Sequence, residues 1–290
     1  MIFAWVEERR PEYPVAVLCR VLGVSRAGYY AWRTRSPSDT ARRRDQLADT
    51  IRAIHGEPHK DTYGSPRMAR ELTARGVACC VNTVARVMRA AGIRAKTTRR
   101  FVRTTDSTHP LPVSENVLNR EFTASKPNEK WVMDLTYIPT QEGWLFLALV
   151  VDLFSRRIVG WAMDGTMTSR LVVDALAMAV GRRGEVAGGI AHSDRGSQYA
   201  SDHFQSELRR HGMVGSMSGV GQCWDNAVIE STFGRLKAEL THHESYATRE
   251  RARASIFEYV EVFYNRVRRH STLEYLTPDE FERTHNPNSR

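Results

Sequence analysis

Three acids stand where an acid is costly. Asp134 interrupts the apolar run Trp131-Val132-Met133-Asp134-Leu135-Thr136, and Asp194 ends a short apolar run in His192-Ser193-Asp194-Arg195-Gly196-Ser197-Gln198-Tyr199. Glu230 opens an amphipathic helix after Trp224-Asp225-Asn226-Ala227-Val228-Ile229, with thirty-five residues between it and Asp194. A carboxylate within an apolar strand is unfavourable unless it is paired or binds a metal. Three of them on separate elements can converge and hold hard cations through oxygen. Two magnesium-like ions held in this way activate a water or hydroxyl and stabilise the leaving oxygen in phosphodiester chemistry.

The elements that must position these acids follow from periodicity. Trp131–Pro139 and Trp144–Asp152 read as a hairpin about Gln141-Glu142-Gly143, with Ile158–Met163 as a third strand. A helix from Ser169 to Arg182 makes the crossover to a short parallel strand, Gly189–His192. A helix from Asp202 to His211 and a fifth strand, Val214–Met217, complete a mixed five-stranded sheet flanked by helices. Asp152 reads as a structural acid at a strand end, Asp225 as the N-cap of the Glu230 helix, and His192 as a residue oriented by the sheet. A second amphipathic helix is expected from Arg249 to Asn265.

Upstream, residues 14–33 read as helix, tight turn, helix, with Gly23 as the stop and Ser25 as the next cap. A second such pair runs from Tyr63-Gly64-Ser65-Pro66-Arg67 to Gly92, with Asn82 as its internal cap. Both have the pattern of helix-turn-helix modules. Arg26, Arg67, Arg86, Arg94 and Lys96 are the candidate DNA contacts. Residues 97–128 read as a linker in which Arg99, Arg100 and Arg103 favour a DNA backbone.

Charge supports this division. The 290 residues carry a net +9, but residues 1–125 hold 22 Lys+Arg against 12 Asp+Glu, and the remainder is nearly balanced. A basic amino-terminal part is expected to grip a polyanion. His55-x3-His59 with Cys79-Cys80 loosely suggests zinc, but adjacent cysteines lack the spacer that lets both thiolates face one ion. Four cysteines in a chain of this size imply no disulfide framework. No apolar run is long enough to span a membrane, and the start lacks the order of a signal peptide, so a cytoplasmic protein is expected.

These motifs, together with Val151-Asp152-Leu-Phe-Ser155-Arg156, Lys237, Tyr264-Asn265-x-x-Arg268-x-His270-Ser271-x-Leu273 and Thr277-Pro278, resemble the OrfB-type insertion-sequence transposases and their retroviral-integrase-like core. The resemblance implies an α/β ribonuclease H-like core behind small all-α modules. Its domains would be 1–40 and 41–98 for the two modules, 99–128 for the linker, 129–245 for the core and 246–290 for a carboxyl-terminal helix and basic tail. It implies a catalytic and metal-binding set of Asp134, Asp194 and Glu230, using two Mg2+ ions with Mn2+ as a substitute. The expected reaction is 3′-end cleavage and strand transfer on double-stranded DNA, by a homo-oligomer, with an upstream-frame protein as a possible fusion partner. Lys237, two turns beyond Glu230, would position the DNA end. Two other readings are an inactive remnant that only binds element ends, and a ribonuclease acting on RNA–DNA hybrids.

Overall fold

The computed structural model describes residues 2–96, 112–219 and 222–286. The proposed linker cations Arg99, Arg100 and Arg103 lie outside them.

The sheet has the expected five strands in the order β3-β2-β1-β4-β5. They are β1 Lys130–Thr140, β2 Gly143–Asp152, β3 Ile158–Asp164, β4 Ile190–Ser193 and β5 Val214–Met217. The first three form an antiparallel meander, while β4 and β5 run parallel to β1 and to each other. Alternation along the strands sorts side chains onto two cores. Trp131, Met133, Ala148 and Val150 face helix α7 (Ser169–Arg183) and helix α9 (Asp202–Arg210). Gly160 of β3 lets α7 lie close, because a Cβ there would come 2.3 Å from the Ala175 carbonyl oxygen.

Val132, Leu147, Leu149 and Val151 face the opposite side, toward helix α10 (Ala227–Leu236) and helix α11 (Arg249–Phe257). Phe233 and Leu236 of α10 are buried there, and burial of each contributes roughly 1.5–3 kcal/mol. Two departures from regular helix follow: α10 continues as a π-helical stretch, Lys237–Thr241, and α11 continues as another, Glu258–Tyr264. Together the latter pair fills the single helix expected from Arg249 to Asn265.

Before the sheet come helices α1 (Ile2–Arg9), α2 (Val15–Val21), α3 (Arg26–Thr34), α4 (Asp39–His55), α5 (Ser65–Ala74) and α6 (Val81–Ala90). The first three enclose a small core of Val6, Leu18, Cys19 and Tyr29. Gly23 takes the left-handed conformation, φ +63°, and the Ser25 hydroxyl accepts from the Gly28 amide, as the stop and cap require. The cap of α6 is Cys80 rather than Asn82, because the helix begins two residues earlier.

The second pair of modules shares its core with the sheet. Ile51, Ile54, Tyr63, Met68 and Leu72 belong to the same buried cluster as Val132, Phe233 and Tyr259. An ion pair and a hydrogen bond reinforce that junction: Arg269 Nε donates to Glu71 at 2.7 Å, and Tyr63 Oη donates to the Val267 carbonyl at 3.3 Å. A last helix, α12 (Pro278–His285), opens with a capping box of Thr277 and Glu280. Its Glu282 binds Ser155, Arg157 and Arg183. Among the described residues, no helix is long and apolar enough to cross a membrane.

Candidate active site

Strand register assembles the first two acids. Met133 pairs with Ser193 across the parallel β1–β4 boundary, so the next residues, Asp134 within β1 and Asp194 just past the end of β4, stand at one level. Each is then held by local backbone. The Asp134 Oδ1 accepts from the Leu135 amide at 2.7 Å, and the Asp194 Oδ1 accepts from the Gly196 amide at 2.9 Å.

The third acid arrives by a separate anchor. Asn226, directly before α10, donates from Nδ2 to the Met133 carbonyl at 3.3 Å, which ties the start of that helix to β1 one residue before Asp134. Glu230 lies in the first turn of α10. Asp225 has a different role from the expected N-cap, because α10 starts after it and Asn226 occupies the cap position. The Asp225 carboxylate instead accepts from Asn116 Nδ2 (2.9 Å), Arg120 Nε (2.6 Å) and the Gly219 amide (2.9 Å). These bonds pin the chain segment entering the core onto the loop that precedes Glu230.

The three acids also act on one another electrostatically. Burial holds the Asp134 carboxyl well above the usual aspartate range, the Asp194 charge raises it further and Glu230 adds to the rise, with Lys237 opposing. The same two aspartates push the buried Tyr199 hydroxyl up, after burial itself, and that hydroxyl has no hydrogen-bond partner. Like charges that raise one another mark a site short of positive charge.

That deficit and an all-oxygen donor set fit a hard divalent cation. Among the described residues no three His, Cys, Asp or Glu side chains form a ready-made metal cage.

Lys237 lies over the Tyr137 ring, 5.1 Å from its centroid, where burial lowers its pKa and the Asp134 charge raises it. It is therefore half-buried beside the site rather than paired with Glu239, whose carboxylate is taken by Arg268 at 2.5 and 2.7 Å. His192 is buried, its two ring nitrogens 2.8 and 3.2 Å from the hydroxyls of Ser216 and Ser218. Burial pushes its pKa down to about 4, so it stays neutral. Asp152 is buried at the strand end and accepts from the Asn128 and Phe154 amides and from Arg183 Nη2.

The candidate DNA contacts divide. Arg26, Arg86 and Arg94 are exposed. Arg86 lines a concavity of about 740 Å3 between α4 and α6 with Arg43, Arg44 and Arg52. Lys96 is half-exposed and pairs with Asp61. Arg67 departs from expectation: it is largely buried, 5.0 Å over the Tyr63 ring and 3.8 Å from Glu239, because the second helical pair packs this face onto the core.

Neither the anchoring by Asn226 nor the seat of Lys237 on Tyr137 was legible in the sequence. Asn226 was visible next to Asp225 in the motif, but its partner, a backbone carbonyl 93 residues away, was not.

Comparison with known proteins agrees with this architecture. Residues 124–223 and 230–285 match two families each described as an integrase core domain, and residues 42–101 match the HTH-like domain family. Over 283 residues, 97% of this chain and 98% of the relative, the sequence is 44% identical to the Transposase InsF for insertion sequence IS3A of Escherichia coli (strain K12). It is 42% identical over 264 residues to the insertion element IS600 uncharacterized 31 kDa protein of Shigella sonnei, covering 91% of this chain and 97% of that protein. A solved structure of the HTLV-2 integrase catalytic core domain in complex with magnesium superposes with a TM-score of 0.41 at 17% identity, covering 54% of this chain and 97% of that one.

Proposed function

The chain belongs to the IS3-type family of insertion-sequence transposases, and from that premise we propose that Asp134, Asp194 and Glu230 are its catalytic carboxylates. Its function is DNA transposition, with an integrase core as the polynucleotidyl transferase part. Near-full-length identity to transposases does not favour an inactive end-binding remnant, nor a ribonuclease acting on hybrids.

The observation that carries the assignment is the β1–β4 register, which sets Asp134 and Asp194 abreast. Further support comes from the Asn226 bond to the Met133 carbonyl, which fixes where the Glu230 helix begins. These three side chains would hold Mg2+, with Mn2+ as a substitute and two ions per site, which when bound supplies positive charge to the attacking and leaving oxygens. Asp134 and Asp194 supply the fixed negative charge that recruits cations. Glu230 closes the set from the helix side. Lys237 offsets the acids' repulsion of a phosphodiester and holds the DNA end beside them.

Water first attacks the phosphodiester at the element end: a phosphorus–oxygen bond forms, the bond to the 3′ oxygen breaks, and a 3′-hydroxyl is left. That hydroxyl then attacks a second phosphodiester, forming the new strand joint as another 3′ oxygen departs. No covalent protein–DNA intermediate is needed, and His192, held between the Ser216 and Ser218 hydroxyls, serves as a structural residue of the sheet. Arg26, Arg86 and Arg94 would engage duplex DNA, with the chain acting as a homo-oligomer or as part of a fusion with an upstream-frame protein.

Single-turnover cleavage of an element-end duplex with Mg2+ tests the assignment. Asp134→Asn, Asp194→Asn and Glu230→Gln should each abolish cleavage while end binding survives. Cleavage near the parent rate in any of them removes that residue from the set.

A further inference from the structure

We propose that a groove beside Glu230 binds the unpaired strand of a DNA end, with Trp224 as the platform on which one of its bases stacks. The inference rests on the transposase reading above and adds to it the form of DNA that the site accepts. The groove, about 590 Å3, runs along α10 from Trp224 and Glu230, past Ser231, Arg235 and Glu239, to Lys96 of the second helical pair.

Trp224 is 69% exposed, the indole standing free on a wall of this groove. Its backbone is anchored on the carboxyl-terminal side by two successive residues. Asp225, next in the chain, is bonded to Asn116, Arg120 and the Gly219 amide. Asn226, one further on, is bonded to the Met133 carbonyl beside Asp134. A large aromatic on an anchored turn, next to a catalytic acid, makes a rigid surface that loses little entropy on binding.

The charge around the groove suits a phosphate chain. Glu239 is already bound by Arg268 and by the Tyr259 hydroxyl. The groove is lined by the cations Lys96 and Arg235 and by the acids Glu230 and Glu239, and Glu239 is neutralised by Arg268 from outside it. An aromatic face flanked by cations is the combination that binds single strands, because every base offers a π-face and every linkage a phosphate. A base inside a duplex has both faces covered by its neighbours, so the platform selects an unpaired one. The groove leads from the reacting acid to the helical modules, so it would carry the strand that frays or is released at the element end.

The test measures binding of the full chain in EDTA by fluorescence anisotropy, so no cleavage intervenes. Three probes carry the same terminal-repeat duplex: one blunt, one with a short single-stranded tail, one with an abasic tail of equal length. Wild type should prefer the tailed to the blunt probe by about tenfold, in line with the stacking of one base, and the abasic tail should lose most of that gain. Trp224→Leu should bind all three probes alike, and Trp224→Phe should keep most of the preference. Thermal melting should not change for either variant, as the indole is exposed. Equal binding of blunt and tailed probes by wild type overturns the proposal. So does an undiminished tail preference in Trp224→Leu, and if that variant also changes oligomeric state in sedimentation, the indole is a protein contact instead. Because the readout needs neither metal nor catalysis, it stands or falls independently of whether Glu230→Gln abolishes cleavage.

Discussion

Met133 on β1 lies opposite Ser193 on β4, and the residue after each is an aspartate. Neighbouring strands are about 4.8 Å apart, so one backbone register brings two like charges within a few ångströms. The fold can sustain that repulsion only by burying a proton with Asp134 or by importing positive charge.

Divalent ions should therefore stabilise the folded protein. Adding Mg2+ or Mn2+ at neutral pH should raise the melting temperature of the wild type, with the size of the shift set by ion concentration over dissociation constant. Asp134→Asn should melt higher than wild type in EDTA, since one of two opposed charges is gone, and should respond weakly to the ions. Differential scanning fluorimetry reads both effects, and an equal ion response in the two proteins would contradict the assignment.

Glu230→Gln should separate binding from chemistry. The side chain keeps its volume and α10 keeps its Asn226 anchor, so melting should shift by less than about 1 kcal/mol, as for an ordinary non-core substitution. Cleavage and joining should both fall to background in the same preparation. Loss of end binding in parallel would mean that the helix itself had moved.

Lys237→Ala should slow joining and raise the end concentration needed for half-maximal rate, with little effect on folding. Lys237→Arg should restore only part, because a planar guanidinium does not sit over the Tyr137 ring as a compact ammonium does. Strand-transfer rates over a range of end concentrations decide it, and wild-type rates throughout for the Ala variant would return this lysine to a packing role.

Glu71 gives a pH prediction at the junction of the second helical pair with the core. Burial raises its pKa, but the bonds from Lys60, Arg269 and Arg75 win and lower it to about 2. A depressed carboxylate contributes stability that is complete above its unfolded value of about 4.5 and is lost as pH falls towards about 2. Glu71→Gln should cost on the order of 3 kcal/mol at neutral pH, the energy equivalent of that shift, and the gap to wild type should narrow steadily below about pH 4.5. Urea unfolding at several pH values measures this, and a constant gap would show that shape rather than charge matters there.

Much of the core was legible because its signals are local. Short apolar runs bounded by turn residues marked the five strands, and Asp134 stood out as the acid that breaks one of them. Other features were illegible because they depend on partners far away in sequence. Helix α12 is fastened by Glu282 to Arg183, 99 residues back, and nothing near Glu282 signals that bond. Arg67 looks like any DNA-facing arginine until Glu239 and Tyr63 are seen around it. Asp225 had the spacing of a cap, and only the arrival of Asn116 and Arg120 shows it to be a clasp.

The π-helical stretch Lys237–Thr241 has a consequence for how this chain tolerates length changes. A wide turn of this kind accommodates one residue more than regular helix would. Deleting Ala238 would therefore let the helix regularise while everything beyond it keeps its phase relative to Glu230. The same deletion between Ser231 and Leu236, in regular helix, would turn everything beyond it by about 100°. Glu239 would then swing away from Arg268, and the seam between catalytic helix and carboxyl-terminal segment would open. The irregular turn thus acts as a slack joint, where loss of one codon is absorbed, whereas loss of one a turn earlier should silence the element with all three acids still in the reading frame.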